Sequence, residues 1–230
     1  MNAQLLTCRR PALRYCTQGA HWAGAALIGA AWLGAAAASA LELPPADMLG
    51  WEVQKFHGQT LYSLTPPESG PVLHARCDRS ASGLFRRQTI DLTRTPVIEW
   101  SWRVDRVFEP PRDERLKAND DYAARIYLVV DGGLLAWRTR AVNYVWATSM
   151  PGGSDWPNAY AGQARMVAVR SGPPSAAGEW QHERRDVRAD FKRLHGIDVR
   201  AIDAIAIMTD CDDRATTAEA WYGTIRFVAD

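Results

Sequence analysis

Apolar and polar residues alternate strictly along Val97-Ile98-Glu99-Trp100-Ser101-Trp102-Arg103-Val104. Ile98, Trp100, Trp102 and Val104 therefore fall on one face of an extended chain, and Glu99, Ser101 and Arg103 on the other. A helix would scatter that pattern around its circumference, so the period of two predicts a half-buried strand. Similar runs recur at 51–56, 60–64, 72–77, 84–92, 122–130, 141–148, 165–169, 180–187, 204–209 and 221–228, with Gly, Pro, Asp and Ser turns between them. One helical stretch stands out, 187–194, and His195-Gly196 is placed to end it. The predicted fold is all-β: a jelly-roll-like antiparallel β-sandwich of about eleven strands with one short helix. Three long loops interrupt it, 108–119, 151–162 and 171–178, and loops of that length on a β domain often carry binding residues.

The first forty residues follow a different rule. Residues 1–40 contain no Asp or Glu, carry Arg9, Arg10 and Arg14, and continue into an alanine-rich apolar run that ends in Ala38-Ser39-Ala40. A charged head, an apolar middle and a small-x-small end are the parts of a cleavable secretory signal. The chain is thus predicted to be cut after Ala40, to leave one domain over 41–230, and to work in the periplasm or outside the cell. An uncleaved anchor is the alternative, although Gly24, Gly29 and Gly34 weaken the run as a membrane span.

Cleavage would remove Cys8 and Cys16 and leave Cys77 and Cys211. In an oxidising compartment two remaining cysteines most simply form one disulfide, two free thiols being the alternative. Loss of the three arginines turns the formal net charge of +1 slightly negative. Without a basic run or a basic amphipathic helix, neither nucleic acid nor a membrane surface is an expected partner of the mature domain.

Several blocks are similar to one family when taken together. They are Lys117-Ala118-Asn119-Asp120-Asp121-Tyr122-Ala123-Ala124-Arg125-Ile126-Tyr127, then Asn143-Tyr144-Val145-Trp146-Ala147, then Glu183 with Arg185-Asp186-Val187, then Ile205-Ala206-Ile207-Met208-Thr209-Asp210 and Ala220-Trp221-Tyr222-Gly223. In this order the chain resembles the bacterial domain-of-unknown-function family 3047. That resemblance implies an exported bacterial β-sandwich and brings no catalytic residues with it. The closing run 221–227 also resembles the last strand of jelly-roll, carbohydrate-binding-module-like domains. Cys77 and Cys211 depart from the family pattern as a pair, as a bridge would require.

If the central strands neighbour one another, Glu99, Arg103, Arg125, Tyr127, Asn143, Glu183 and Arg185 would line one polar sheet face. There Arg and Asn would bind hydroxyls and Tyr144, Trp146 or the loop residue Trp156 would stack on a sugar ring; Trp137, after the Gly132-Gly133 turn, is a second loop candidate. A satisfied network of surface ion pairs is the plainer reading of the same residues. The leading functional expectation is a non-catalytic binding domain for a carbohydrate or envelope glycan, with an envelope protein-interaction module beside it. A hydrolase or lyase on the same fold would use Glu183 with Asp210 or Glu99 as its acid and base, provided the carboxyls stand roughly 5 to 9.5 Å apart. Asp120, Asp121, Asp210 and Asp212 could converge as oxygen ligands for a structural calcium, or could simply organise turns. No other cofactor is expected. The sequence has no Gly-x-Ser-x-Gly nucleophile elbow, no phosphate loop and no His-Glu-x-x-His pair.

Overall fold

The computed structural model describes residues 40–65 and 70–230; all of the predicted signal 1–40 but Ala40 lies outside the described residues. Every alternating run becomes a strand. In chain order these are β1 (Leu41–Leu43), β2 (Glu52–His57), β3 (Leu61–Thr65), β4 (Val72–Asp78), β5 (Ala81–Asp91), β6 (Val97–Val104) and β7 (Arg125–Val130). They are followed by β8 (Arg140–Ala147), β9 (Asp155–Pro157), β10 (Ala164–Ser171), β11 (Gln181–Asp186), β12 (Ala201–Asp210), β13 (Thr217–Tyr222) and β14 (Ile225–Val228). The three-residue strands β1 and β9 are too short to show alternation and had no sequence signal.

The strands form two facing sheets. In the first, β13 and β14 run as one long strand beside β6, broken at Gly223-Thr224; β13 pairs with β4 and β14 with β1, while β3 and β11 are the outer members. A side chain at Gly223 would run into that of Ser101, which is why the break carries a glycine. The second sheet has the order β2-β5-β12-β7-β8-β10-β9. All its pairs are antiparallel except β8 with β10, a departure from the all-antiparallel expectation. Parallel neighbours need a long crossover, and here it is the segment 148–163, which reverses through β9 on the far edge of β10.

The apolar faces of the two sheets meet in a shared core. Trp100 and Trp102 of the first sheet pack on Tyr144 and Trp146 of the second, with ring centres 5.4 and 6.0 Å apart. Cys77 on β4 and Cys211 just after β12 are joined in a disulfide, so the bridge ties one sheet to the other across 134 residues of chain. A five-residue helix, α1 (Pro45–Leu49), precedes β2 and has no sequence signal. Helix α2 (Val187–His195) follows β11; Asp186 caps its start by accepting the Ala189 N–H at 2.9 Å, and Gly196 closes it with φ 69°.

The loop 108–119 is anchored from within. Glu114, fully buried, accepts the backbone N–H groups of Thr148, Ser149 and Met150 at 2.7, 3.0 and 2.9 Å. Glu114→Ala strands three donors at once, and a buried unsatisfied donor costs about 1–3 kcal/mol. The variant is expected to lose about 3 kcal/mol, which thermal unfolding would register as roughly 10 °C for a domain of this size. A shift of under two degrees would show the anchor to be dispensable.

Candidate functional site

The outward face of the second sheet holds a groove of about 450 Å³. Strict alternation selects its floor: Arg125 and Tyr127 on β7, Asn143 on β8, and Met208 and Asp210 on β12 all point away from the core, with Tyr127 directly opposite Asn143. The crossover between β8 and β10 supplies one wall, Asn158, Tyr160 and Ala161; Phe56 and His57 at the end of β2 supply the other. Phe56 and Tyr160 are 67 and 58 % exposed and stand ready as apolar surfaces. Beyond Phe56 and Met208 the groove continues over Phe85, Val129 and Ala206.

Its polar end is built around one buried cation. Arg125 donates from Nη2 to Asp210 Oδ2 at 2.5 Å and to the Asp120 carbonyl at 2.8 Å, and from Nη1 to the Tyr127 hydroxyl oxygen at 2.7 Å. Its guanidinium lies 4.4 Å from the centre of the Tyr122 ring, a cation–π contact. Asn158 donates to Asp120 Oδ2 at 2.8 Å, and the Tyr160 hydroxyl donates to the Asp213 carboxylate at 2.8 Å. Burial drives the Asp120, Asp210 and Asp213 carboxyls above the usual carboxylate range. Asp121 is pushed up to about 6, again chiefly by burial, with the backbone N–H of Arg214 opposing the shift and its acidic neighbours adding to it.

The two acidic segments converge as the sequence suggested: one oxygen each of Asp121, Asp210 and Asp212 lie within 4.8 Å of one another. Their oxygens already have partners, however. Asp121 accepts the N–H groups of Asp213 and Arg214, Asp210 accepts the Tyr122 N–H and the Arg125 guanidinium, and Asp212 meets His57. These contacts are of the kind by which acidic side chains organise turns.

The remaining sequence candidates are dispersed. Arg125, Tyr127 and Asn143 share the groove floor, but Glu99 and Arg103 lie on the outward face of the first sheet and Glu183 and Arg185 on its edge strand β11, so the single polar face of seven residues does not form. Strand order, which alternation does not encode, separates them. Glu183 is held by Arg170 at 2.6 Å and by the Trp102 indole at 3.1 Å; Arg185 is clamped to Asp190. Glu99 and Glu183 do border one shallow depression, each paired to an arginine, Glu99 to Arg184 at 3.3 Å. Arg103 lies over the Trp221 ring at 3.7 Å, and His74 stacks on that same indole.

Tyr144 and Trp146 are corrected from ligand contacts to core residues. They occupy the inward positions of β8, where the Tyr144 hydroxyl donates to Asp190 and the Trp146 indole to the Gly172 carbonyl. Trp156 is likewise corrected: it is only 2 % exposed, because β9 pairs with β10 and turns the indole down onto Tyr122, Val145 and Met166. Trp137 is exposed but does not border the groove. Phe56, Asn158 and Tyr160 carry no distinctive pattern of their own in the sequence; the one usable signal is that Asn158 and Tyr160 sit in the long loop 151–162.

Two solved structures similar in outline are carbohydrate-binding modules. The family 30 module of a cellulosomal cellulase of Clostridium thermocellum is 10 % identical, covers 78 % of this chain and 91 % of its own, and gives a TM-score of 0.44. A low-affinity xylan-binding module, CBM86, of Roseburia intestinalis is 10 % identical over 84 % of this chain and 97 % of its own, with a TM-score of 0.27. At those scores they add nothing to what the strand pairing itself establishes. No curated protein sequence matches the chain. A family model does match over residues 49–226, a span that holds the groove and every strand but β1 and the end of β14, and the chain therefore belongs to the family described as Protein of unknown function (DUF3047).

Proposed function

We propose that the chain is a non-catalytic glycan-binding domain of the periplasm or the cell exterior, and that the groove on the second sheet is its binding site. The observation that carries this reading is the groove's composition: two exposed aromatic walls, Phe56 and Tyr160, flank a floor of fixed polar groups from Arg125, Asn143, Asp120 and Asp210. Sugar rings present apolar faces and a rim of hydroxyls, and that pairing of surfaces suits them. The floor is positioned by rigid strands, so little ordering opposes binding. The disulfide fits an oxidising compartment and supports export.

The carboxylates available for an acid–base mechanism are committed elsewhere. Glu183 and Asp210 sit in different sheets, and each is bound to an arginine. The catalytic alternative is left with Glu99 and Glu183, which border one depression with each paired to an arginine.

Electrophoresis through gels containing soluble polysaccharides tests the proposal. At least one polysaccharide should retard the protein, and Tyr160→Ala or Phe56→Ala should weaken that retardation about tenfold, as loss of an aromatic contact does. Trp137→Ala should migrate like the parent. Equal retardation of all three variants would remove the groove as the site, and migration unaffected by any polysaccharide would remove the glycan reading.

A further inference from the structure

Two acceptors in the groove have no donor. Asn143 is 1 % exposed, and its amide nitrogen is turned to the Met166 sulfur at 3.2 Å; sulfur of a thioether accepts and cannot donate, so that orientation leaves Oδ1 without a partner. Asp120 is 4 % exposed and its Oδ2 is held by Asn158, while Oδ1 has no partner. Both side chains line the same groove. A buried acceptor left empty is costly, and a ligand that supplies a donor removes that cost.

The charge around these two atoms narrows what the donor is. Asp120, Asp210, Asp212 and Asp213 line the groove, and Asp121 stands just behind them. Against these carboxylates stands the Arg125 guanidinium, paired to Asp210 with only its Nε unpartnered, with the Lys117 ammonium 5.2 Å from the Tyr160 ring on the rim and the His57 imidazole 3.3 Å from Asp212. The balance is negative. A hydroxyl would satisfy either acceptor, but a protonated amine would also offset the surplus charge, and charge-assisted bonds are about twice as strong as neutral ones. An anionic glycan would be repelled.

We infer that the groove selects a glycan bearing free amino groups, the ammonium lying among Asn143 Oδ1, Asp120 and Asp212 while the sugar rings rest on Tyr160 and Phe56. This rests on the glycan reading given above and assigns its substrate class.

The test is calorimetric titration of the full mature chain with three matched probes: a β-1,4-linked glucosamine hexamer, its fully N-acetylated form and the corresponding all-hydroxyl glucose hexamer. The pH is chosen to keep the amine protonated. The amine form is expected to bind about tenfold more tightly than either neutral form, with a preference that shrinks as salt rises. Asp120→Asn and Asp212→Asn should each bring the ratio of affinities close to one. Asp212 is only partly buried, so its variant carries the test if Asp120→Asn fails to fold. Neutral forms binding as tightly as the amine form, or a preference that survives both substitutions, would overturn the amine assignment and leave the glycan reading standing. No binding by any of the three probes, together with no retardation by polysaccharides, would overturn both.

Discussion

Replacing Cys77 and Cys211 by alanine is expected to lower the stability of the domain by about 5 kcal/mol, the larger of two effects that can be anticipated for single features of this chain. The bridge closes a loop of 134 residues, and its two ends belong to different sheets. Without it the unfolded chain regains the entropy of that loop, while the folded chain keeps the apolar core and inter-sheet polar contacts such as Arg170 to Glu183 and the Tyr222 hydroxyl to the Met208 carbonyl. Both cysteines are fully buried beside the core, so the truncated side chains also leave small voids. Equilibrium unfolding in urea should show the midpoint falling by roughly 2 M, given the slope usual for a domain of this size. Reduction of the parent protein should reproduce most of the shift. A midpoint that moves by less than about 0.5 M in both experiments would mean that the sheets are held together without help from the bridge.

Arg125→Met is expected to cost about 3–5 kcal/mol, the usual penalty for removing one partner of a buried ion pair. Arg125 and Asp210 are both almost completely buried, and the guanidinium also holds the Asp120 carbonyl and Tyr127. Methionine fills much of the volume and leaves Asp210 as a charge with no counter-ion. The defect should depend on pH in a stated direction. Burial already raises the Asp210 carboxyl above its unfolded value, with Arg125 opposing the rise. Removing Arg125 raises it further, so the variant binds a proton that the unfolded chain releases. A raised acid stabilises the fold below its unfolded pKa and loses that contribution as pH climbs through the folded one. The gap between parent and variant should therefore be widest near neutrality and narrow toward pH 4, as followed by urea midpoints at each pH. A gap independent of pH would show that Asp210 is not the group left exposed.

Much of the fold follows from alternation alone. Runs such as 97–104 and 204–209 announce strands because one face is buried and the other is not, and Gly196 ends the helix where a left-handed residue is needed. The candidate site was legible only in pieces. Arg125, Tyr127 and Asn143 share the groove floor, and the acidic segments around Asp120 and Asp210, which the sequence allows either to converge or simply to organise turns, lie together. Glu99 and Arg103 take the outward phase of their strand yet belong to the other sheet, and Glu183 and Arg185 lie opposite Trp100 and Ile98 on that sheet's inward side. Phase is a property of one strand, whereas membership of a sheet depends on partners far away in sequence.

The tryptophans show the same division. The sequence alone settles that Trp100 and Trp102 share a face with Ile98 and Val104, since neighbouring side chains on a strand must point oppositely. It also settles that the domain has no helical core. Only the tertiary structure decides that Trp156 is buried, because a loop tryptophan becomes core or surface according to whether its segment finds a sheet edge to pair with, and here β9 finds β10. The groove itself is of that second kind. Its floor comes from three strands and its walls from β2 and from the crossover that the parallel pairing of β8 and β10 demands. Short-range pattern reports local burial; a concave site is made by contacts between residues far apart along the chain, and those are set by how the layers close.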